Sequence, residues 1–301
     1  MRTSGAPTGA DPDVPDLAWY DIILFSSSGG KDSQAALDVL AQHARAAGVM
    51  HRIVVVHADL GEMEWEGAKE LAQEHARDYG LRFETVSRYT KFGNPQTLLE
   101  QIEARRRFPD SKRRYCSSDH KRGPIRTVMT YLTSETRGEG IVDRPVRILN
   151  VMGMRAEESA DRALKVSFRH DGGKTCTCPS CQGKERSERG NGASNSRRYV
   201  DEWLPVHSWT VGQIWERIHQ AGTRYHWAYD TGLARLSCCF CVLAPKNALV
   251  LAAQLNPQLA AEYAAVEERI GHSFKVDLSM AEVIEIAQST ARARSVLDWK
   301  D

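Results

Sequence analysis

Almost no net charge is left in this 301-residue chain: 40 Lys and Arg face 39 Asp and Glu, a formal balance of +1. Attraction to nucleic acid or to a membrane surface therefore cannot come from bulk charge. No apolar run reaches about 18 residues, which excludes an ordinary membrane-spanning helix. The lead from Met1 to Asp16 is rich in Pro, Gly and Asp and has no apolar secretory core. It reads as disordered, and the chain is expected in the cytoplasm without a membrane partner. Internal repeats are absent too. So is the usual ATPase phosphate loop: Phe25 stands where that motif needs its first Gly, and Asp32 follows Lys31 where it needs Ser or Thr.

A different anion loop is present. Ile22-Ile23-Leu24-Phe25 reads as a buried strand, and Gln34 to Ala47 reads as a helix. Between them lie Ser28-Gly29-Gly30-Lys31-Asp32-Ser33. Two glycines let backbone N–H groups approach a phosphate, and the helix start offers unpaired donors with a partial positive charge. Lys31 adds a full charge, and Ser28 and Ser33 add hydroxyls.

Further strands are expected at Ile53–Val56, Phe83–Val86 and Arg147–Met152, with helices at Glu66–Tyr79, Pro95–Arg107 and Pro124–Leu132. The alternation predicts an α/β fold, a Rossmann-like parallel sheet with helices on both faces. Ligands of such sheets sit beyond the carboxyl ends of the strands. That rule places the Ser28–Ser33 loop, Asp59 and Gly153-Met154-Arg155 on one rim. From Asp171 to Arg198, Gly, Ser, Arg, Lys, Asn and Cys displace the apolar periodicity. Helices are then expected at Thr210–Gln220, Ala248–Leu255, Pro257–Ile270 and Met280–Arg294, with Val211, Ile214, Trp215 and Ile218 on one face of the first. The expected partition is a lead over 1–16, a nucleotide-binding domain over 17–170, an exposed Cys-containing loop over 171–198 and a helical C-terminal portion over 199–301.

Gly153 permits a tight turn at a strand end, and Arg155 offers the planar donor fork that suits a phosphate or sulfate. The plain alternative for Val151–Ser159 is the start of an amphipathic helix with solvated charges.

Ser28–Ser33 resembles the pyrophosphatase (PP) loop of the adenine-nucleotide alpha-hydrolase superfamily. Gly153-Met154-Arg155-Ala156-Glu157-Glu158-Ser159 resembles the Gly-x-Arg-x-x-Glu-Ser segment of the phosphoadenosine-phosphosulfate reductase-like family. Leu204–Trp209 with the following helix, and Asp59-Leu60-Gly61-Glu62, resemble two more of its segments, so the likeness runs from about Asp21 to Ala244 in order. It implies that Ser28, Gly29, Gly30, Lys31, Asp32 and Ser33 hold the phosphates of ATP, with Mg²⁺. Asp59 and Gly153 would lie near the nucleotide and Arg155 near the transferred anion, with Lys31, Asp32 and Arg155 as the catalytic set.

The family's reductases carry a nucleophilic Cys near the C-terminus, whereas the last Cys here is Cys241. The resemblance therefore favours ATP pyrophosphatase chemistry, in which an acceptor is adenylylated and sulfur then displaces AMP. Alternatives from other classes are a sulfonucleotide or small-molecule adenylyltransferase enzyme and a nucleotide-binding subunit without turnover.

Seven cysteines fall into three groups: Cys116; Cys176, Cys178 and Cys181; and Cys238, Cys239 and Cys241. In a reducing compartment such groups suggest metal or iron–sulfur ligation rather than disulfides. Cys238 and Cys241 have Cys-x-x-Cys spacing, which can grip one metal or two corners of a cluster. Arg113–Lys121 around Cys116 resembles an element of the family's sulfur-inserting branch, which includes the ATP pyrophosphatase of DNA phosphorothioation. That resemblance implies a 4Fe-4S cluster on Cys116, Cys238 and Cys241, the fourth position going to Cys239, a loop Cys or sulfide. Buried structural thiols are the plain alternative. Cys176, Cys178 and Cys181 suggest zinc, with His170 as a candidate fourth ligand or simply an exposed loop His. The resemblance also implies a DNA or other nucleic-acid acceptor and a sulfur donor such as a cysteine desulfurase. The stretch Arg105–Arg126 is the densest in positive charge and reads either as a phosphate-contacting surface or as a solvated face.

Overall fold

A computed structural model describes residues 14–140, 143–179, 181–185, 188 and 192–290. Most of the expected lead, the end of the Met280–Arg294 helix and the tail lie outside these residues. Two compact units emerge. The first holds the described residues up to His57 with Lys69–Val86 and Ile125–Tyr225, and the second holds Ala58–Ala68, Ser87–Pro124 and the described residues from His226.

The first unit is built on six strands: β1 (Ile22–Ser27), β2 (Ile53–Ala58), β3 (Arg82–Val86), β4 (Val146–Met152), β5 (Phe168–His170) and β6 (Arg198–Trp203). Their order is β3-β2-β1-β4-β6-β5. β1 pairs in parallel with β2 and β4, and β4 with β6, while β5 runs antiparallel to β6 at the edge. The sheet is thus mostly parallel. The near-continuous apolar runs of β1 and β2 suit strands covered on both faces. Ile23, Phe25, Val55 and Val151 face one core layer with Leu37 and Leu40, and Ile22, Leu24, Val54 and Ile148 face another with Met129 and Leu132.

The segment after residue 198 opens with a strand, not a helix. β6 hides a charge on each of its two faces: Arg198, on the face of Val200, is 7% exposed, and Asp201, on the face of Trp203, 1%. Arg198 Nε donates to Ala193 O at 2.8 Å and its Nη1 to Thr130 Oγ1 at 2.7 Å. In the helix Val211–Ala221, Ile214 and Ile218 are buried, but Val211 stays 46% exposed and is not part of the buried face expected of it.

The second unit is largely helical, with Leu98–Arg105, Lys246–Leu255, Pro257–Ile270 and Met280–Ser289. Its core gathers Phe108, Phe240, Tyr263 and Phe274. Among the described residues no helix is long and apolar enough to cross a membrane.

Candidate active site

β1 ends at Ser27, and helix α1 (Lys31–Ala46) starts four residues later with Gly30 as its N-cap. Gly29 takes φ +69°, a left-handed turn that only Gly adopts without strain. The loop braces itself: Ser28 N donates to Ser33 Oγ at 3.3 Å, and Gly30 N to Ser28 Oγ at 3.4 Å. Ser33 Oγ donates to Gly30 O at 2.8 Å and lies 3.2 Å from Ser28 Oγ. Ser28 stays exposed at the loop tip.

Lys31 is 1% exposed, with Nζ 3.0 Å from Asp32 Oδ2. It lies beneath the surface rather than open on the rim. Arg155 is 4% exposed; its Nε binds the other Asp32 oxygen, and its Nη1 binds Glu157 Oε2 at 2.6 Å. Asp32 therefore ties Lys31 and Arg155 together across two strand ends. Removing one member of a buried pair costs about 3–5 kcal/mol, because a charge is left uncompensated. Arg155 thus also braces the loop.

Gly153 has the steric reason that its sequence position lacked. A Cβ there would lie 2.4 Å from Asp32 O and Ser33 Cα and 2.5 Å from Ser33 N. The β4 end thus presses directly on the first turn of α1. The Leu204–Trp209 segment backs the same corner: Ala156 N donates to His207 O at 2.8 Å, and His207 Nε2 lies 2.9 Å from Arg162 O. Asp59 directly follows β2, and its Oδ1 accepts from Gly61 N at 2.8 Å, closing its own turn.

In the second unit Cys116 sits in a helical turn, Tyr115–Ser117, that runs into a π-helical turn, Ser118–Arg122. Such turns are frequent at functional sites. Burial pushes the Cys116 thiol up, a Ser117 hydrogen bond opposes it, and nearby Cys241 adds to it. Burial likewise pushes Cys238 up to about 11, against Lys121 and with Cys241, Glu64 and Cys116. Lys121 is held charged chiefly by Cys238, with Glu64, Cys241 and Cys116 adding to it against burial. Cys238 feels the charges of Cys241 and Cys116, and Cys116 that of Cys241, but among the described residues the ligand atoms gathered closely enough for one ion are those of His170, Cys176, Cys178 and Cys181. As thiolates Cys116, Cys238 and Cys241 would repel, and they need positive charge close by. Lys121 supplies one such charge, and its role was hidden in the basic stretch around it. Cys239 is 3% exposed and its N donates to Met63 O at 2.9 Å, a core thiol beside Phe240.

The basic stretch forms a cavity of about 570 Å³, and six of its eight lining residues are Arg or Lys: Arg105, Arg107, Lys112, Arg113, Arg114 and Arg122. The acids that dilute the sequence are engaged: Asp119 lies 3.1 Å from Arg105, Asp110 3.5 Å from Arg107, and Glu103 2.6 Å from Arg269. Arg105 also stacks over the Tyr115 ring at 4.6 Å. The loop thiols, in the first unit, gather with His170: the ligand atoms of His170, Cys176, Cys178 and Cys181 all lie within 4.8 Å of one another.

Comparison with known proteins follows the same outline. The family model of the phosphoadenosine phosphosulfate reductase domain matches residues 22–244. No curated protein matches by sequence. The phosphoadenylyl-sulfate (PAPS) reductase of Candida auris, in a phosphate complex, is 10% identical over 74% of this chain and 83% of that chain, with a TM-score of 0.43. Candida glabrata FMN adenylyltransferase with FAD and inorganic pyrophosphate is 14% identical over 73% of this chain and 57% of that one, TM-score 0.42. The U34-tRNA thiolase NcsA of Methanococcus maripaludis with its 4Fe-4S cluster is 10% identical over 92% and 76%, TM-score 0.44.

Proposed function

The chain belongs to the phosphoadenosine phosphosulfate reductase domain family, matched over residues 22–244, and we propose that it is a PP-loop ATP pyrophosphatase that adenylylates an acceptor for sulfur transfer. The observation that carries this reading is the packing of Gly153 against Asp32 and Ser33. It sets the Ser28–Ser33 loop and Arg155 at one corner of the sheet.

ATP with Mg²⁺ places its phosphates against the Gly29–Gly30 backbone and the α1 N-terminus. An acceptor oxygen attacks the α phosphorus, the Pα–O–Pβ bond breaks, and pyrophosphate leaves. Lys31 and Arg155 offset the charge that develops on the departing group, and Asp32 keeps both aimed. A sulfur nucleophile then attacks the activated centre and AMP departs. Cys116, Cys238 and Cys241 suit an iron–sulfur cluster as a donor set, and such a cluster would supply a place to hold the incoming sulfur. A cysteine desulfurase or similar enzyme would supply that sulfur.

The basic cavity favours a nucleic-acid acceptor, with DNA in a phosphorothioation system preferred. Six Arg and Lys line the cavity, two of them already paired with Asp119 and Asp110, and this local patch on a nearly neutral chain suits a phosphate backbone. Double-stranded DNA should therefore accelerate pyrophosphate release from ATP. Lys112→Ala with Arg113→Ala should weaken that acceleration and lower the salt slope of DNA binding by about two, one per lost phosphate contact. Acceleration by a small sulfonucleotide or flavin but not by DNA would favour the small-molecule alternative. No pyrophosphate with any acceptor would favour a subunit without turnover.

A further inference from the structure

We propose that His170, Cys176, Cys178 and Cys181 bind one structural zinc ion that pins the loop cysteines to the sheet edge, with Asp201 and Tyr20 setting the histidine for it. This inference is independent of the ATP chemistry.

Metal-ligand distances of 2.3 Å to sulfur and 2.0–2.1 Å to nitrogen put tetrahedral S···N neighbours about 3.5 Å apart and S···S neighbours about 3.8 Å apart. Here His170 Nε2 lies 3.6 Å from Cys176 Sγ and 3.3 Å from Cys178 Sγ. All four ligand atoms fall within 4.8 Å of one another, a separation that fits a single ion. Three thiolates and one imidazole complete a tetrahedron and leave no open position, the pattern of a structural site. Cys176 is 2% exposed and Cys181 4%, so this part of the loop is packed although it is rich in polar residues.

The second observation lies behind the histidine. The antiparallel register of β5 and β6 sets His170 opposite Asp201. His170 Nδ1 is 3.0 Å from Asp201 Oδ1, and Asp201 Oδ2 accepts from Tyr20 OH at 2.8 Å. Asp201 is 1% exposed and Tyr20 0%. The imidazole also stacks on Tyr199, centroids 4.3 Å apart. A carboxylate on one ring nitrogen fixes the tautomer and presents the other to the metal, as metal-binding histidines are usually held. An exposed loop His needs no buried Asp-Tyr pair behind it.

The loop has a reason to need the ion. It has no apolar periodicity from which to build a core. The cysteines hang from two successive turns: Cys176 N donates to Gly173 O at 3.0 Å, and Cys181 N to Cys178 O at 2.9 Å. The loop base closes tightly, since a Cβ on Gly173 would lie 2.1 Å from Ser194 O. Zinc would tie the cysteine turns beyond that base back to His170 on β5.

The full-length protein, purified anaerobically from zinc-supplemented cells, should carry about one zinc per chain by elemental analysis. Cys178→Ser should lose that zinc while any iron stays. Asp201→Asn should weaken zinc binding about 10–100-fold in chelator competition. As a check that does not depend on a variant, stripping zinc from the wild type should speed tryptic cleavage after Lys174 and Lys184, and adding zinc back should restore resistance. Protein without zinc would overturn the proposal, and so would a Cys178→Ser variant that keeps it. Loss of iron and colour in Cys178→Ser would also overturn it, since the loop would then belong to a cluster.

Discussion

Gly153→Ala is expected to abolish pyrophosphate release from ATP while the protein still folds. The added methyl would meet Asp32 O, Ser33 Cα and Ser33 N at 2.4–2.5 Å. All three are backbone atoms, so no flexible side chain can swing aside. The clash must move the β4 turn or the first turn of α1, and that turn carries the loop. Overpacking of this kind costs about 1–3 kcal/mol, which a chain with a two-layered sheet core survives. The phosphate contacts are less tolerant, because a shift of about 1 Å can cost about 100-fold in rate. Far-ultraviolet circular dichroism and a melting curve would register the fold, and a pyrophosphate assay the turnover. Near-normal turnover in this variant would mean that the corner between β1 and β4 is not the reacting site.

Cys238→Ser should have the second large effect, on colour rather than on ATP binding. Protein purified without oxygen should be brown, with broad absorption near about 400 nm from thiolate-bound iron. Cys238 is buried, and Lys121, Cys241, Glu64 and Cys116 all bear on its charge. Serine at 238 should bleach the protein. Cys239→Ser should leave the colour, because Cys239 is packed in the core and its backbone bonds to Met63. An anaerobic wild type that is colourless and holds only zinc would rule out the cluster.

The sheet was readable where its strands are apolar and unreadable where they are not. Ile22–Phe25 and Ile53–Val56 announce central strands because burial on both faces demands unbroken apolar runs. β6 hides Arg198 and Asp201 among its buried positions, and only the tertiary partners of those charges show why they are tolerated. The Ser28–Ser33 turn was readable from its glycines and its place between strand and helix. Its internal contacts were not: Ser33 turns back on Gly30 within the loop, and Asp32 joins its neighbour Lys31 to Arg155, which lies far off in sequence at the end of another strand. His170 stood open between ligand and bystander. The β5–β6 register, which no local pattern announces, places it opposite Asp201.

The most direct test of the central claim is the position at which ATP is cut. ATP labelled separately at the α and γ phosphates, incubated with Mg²⁺, protein and duplex DNA, should yield labelled AMP or an adenylylated acceptor from the first label. The second label should appear in pyrophosphate, and Lys31→Ala should yield neither product. Release of ADP and orthophosphate would contradict the account, as would ATP left intact while a sulfonucleotide is consumed.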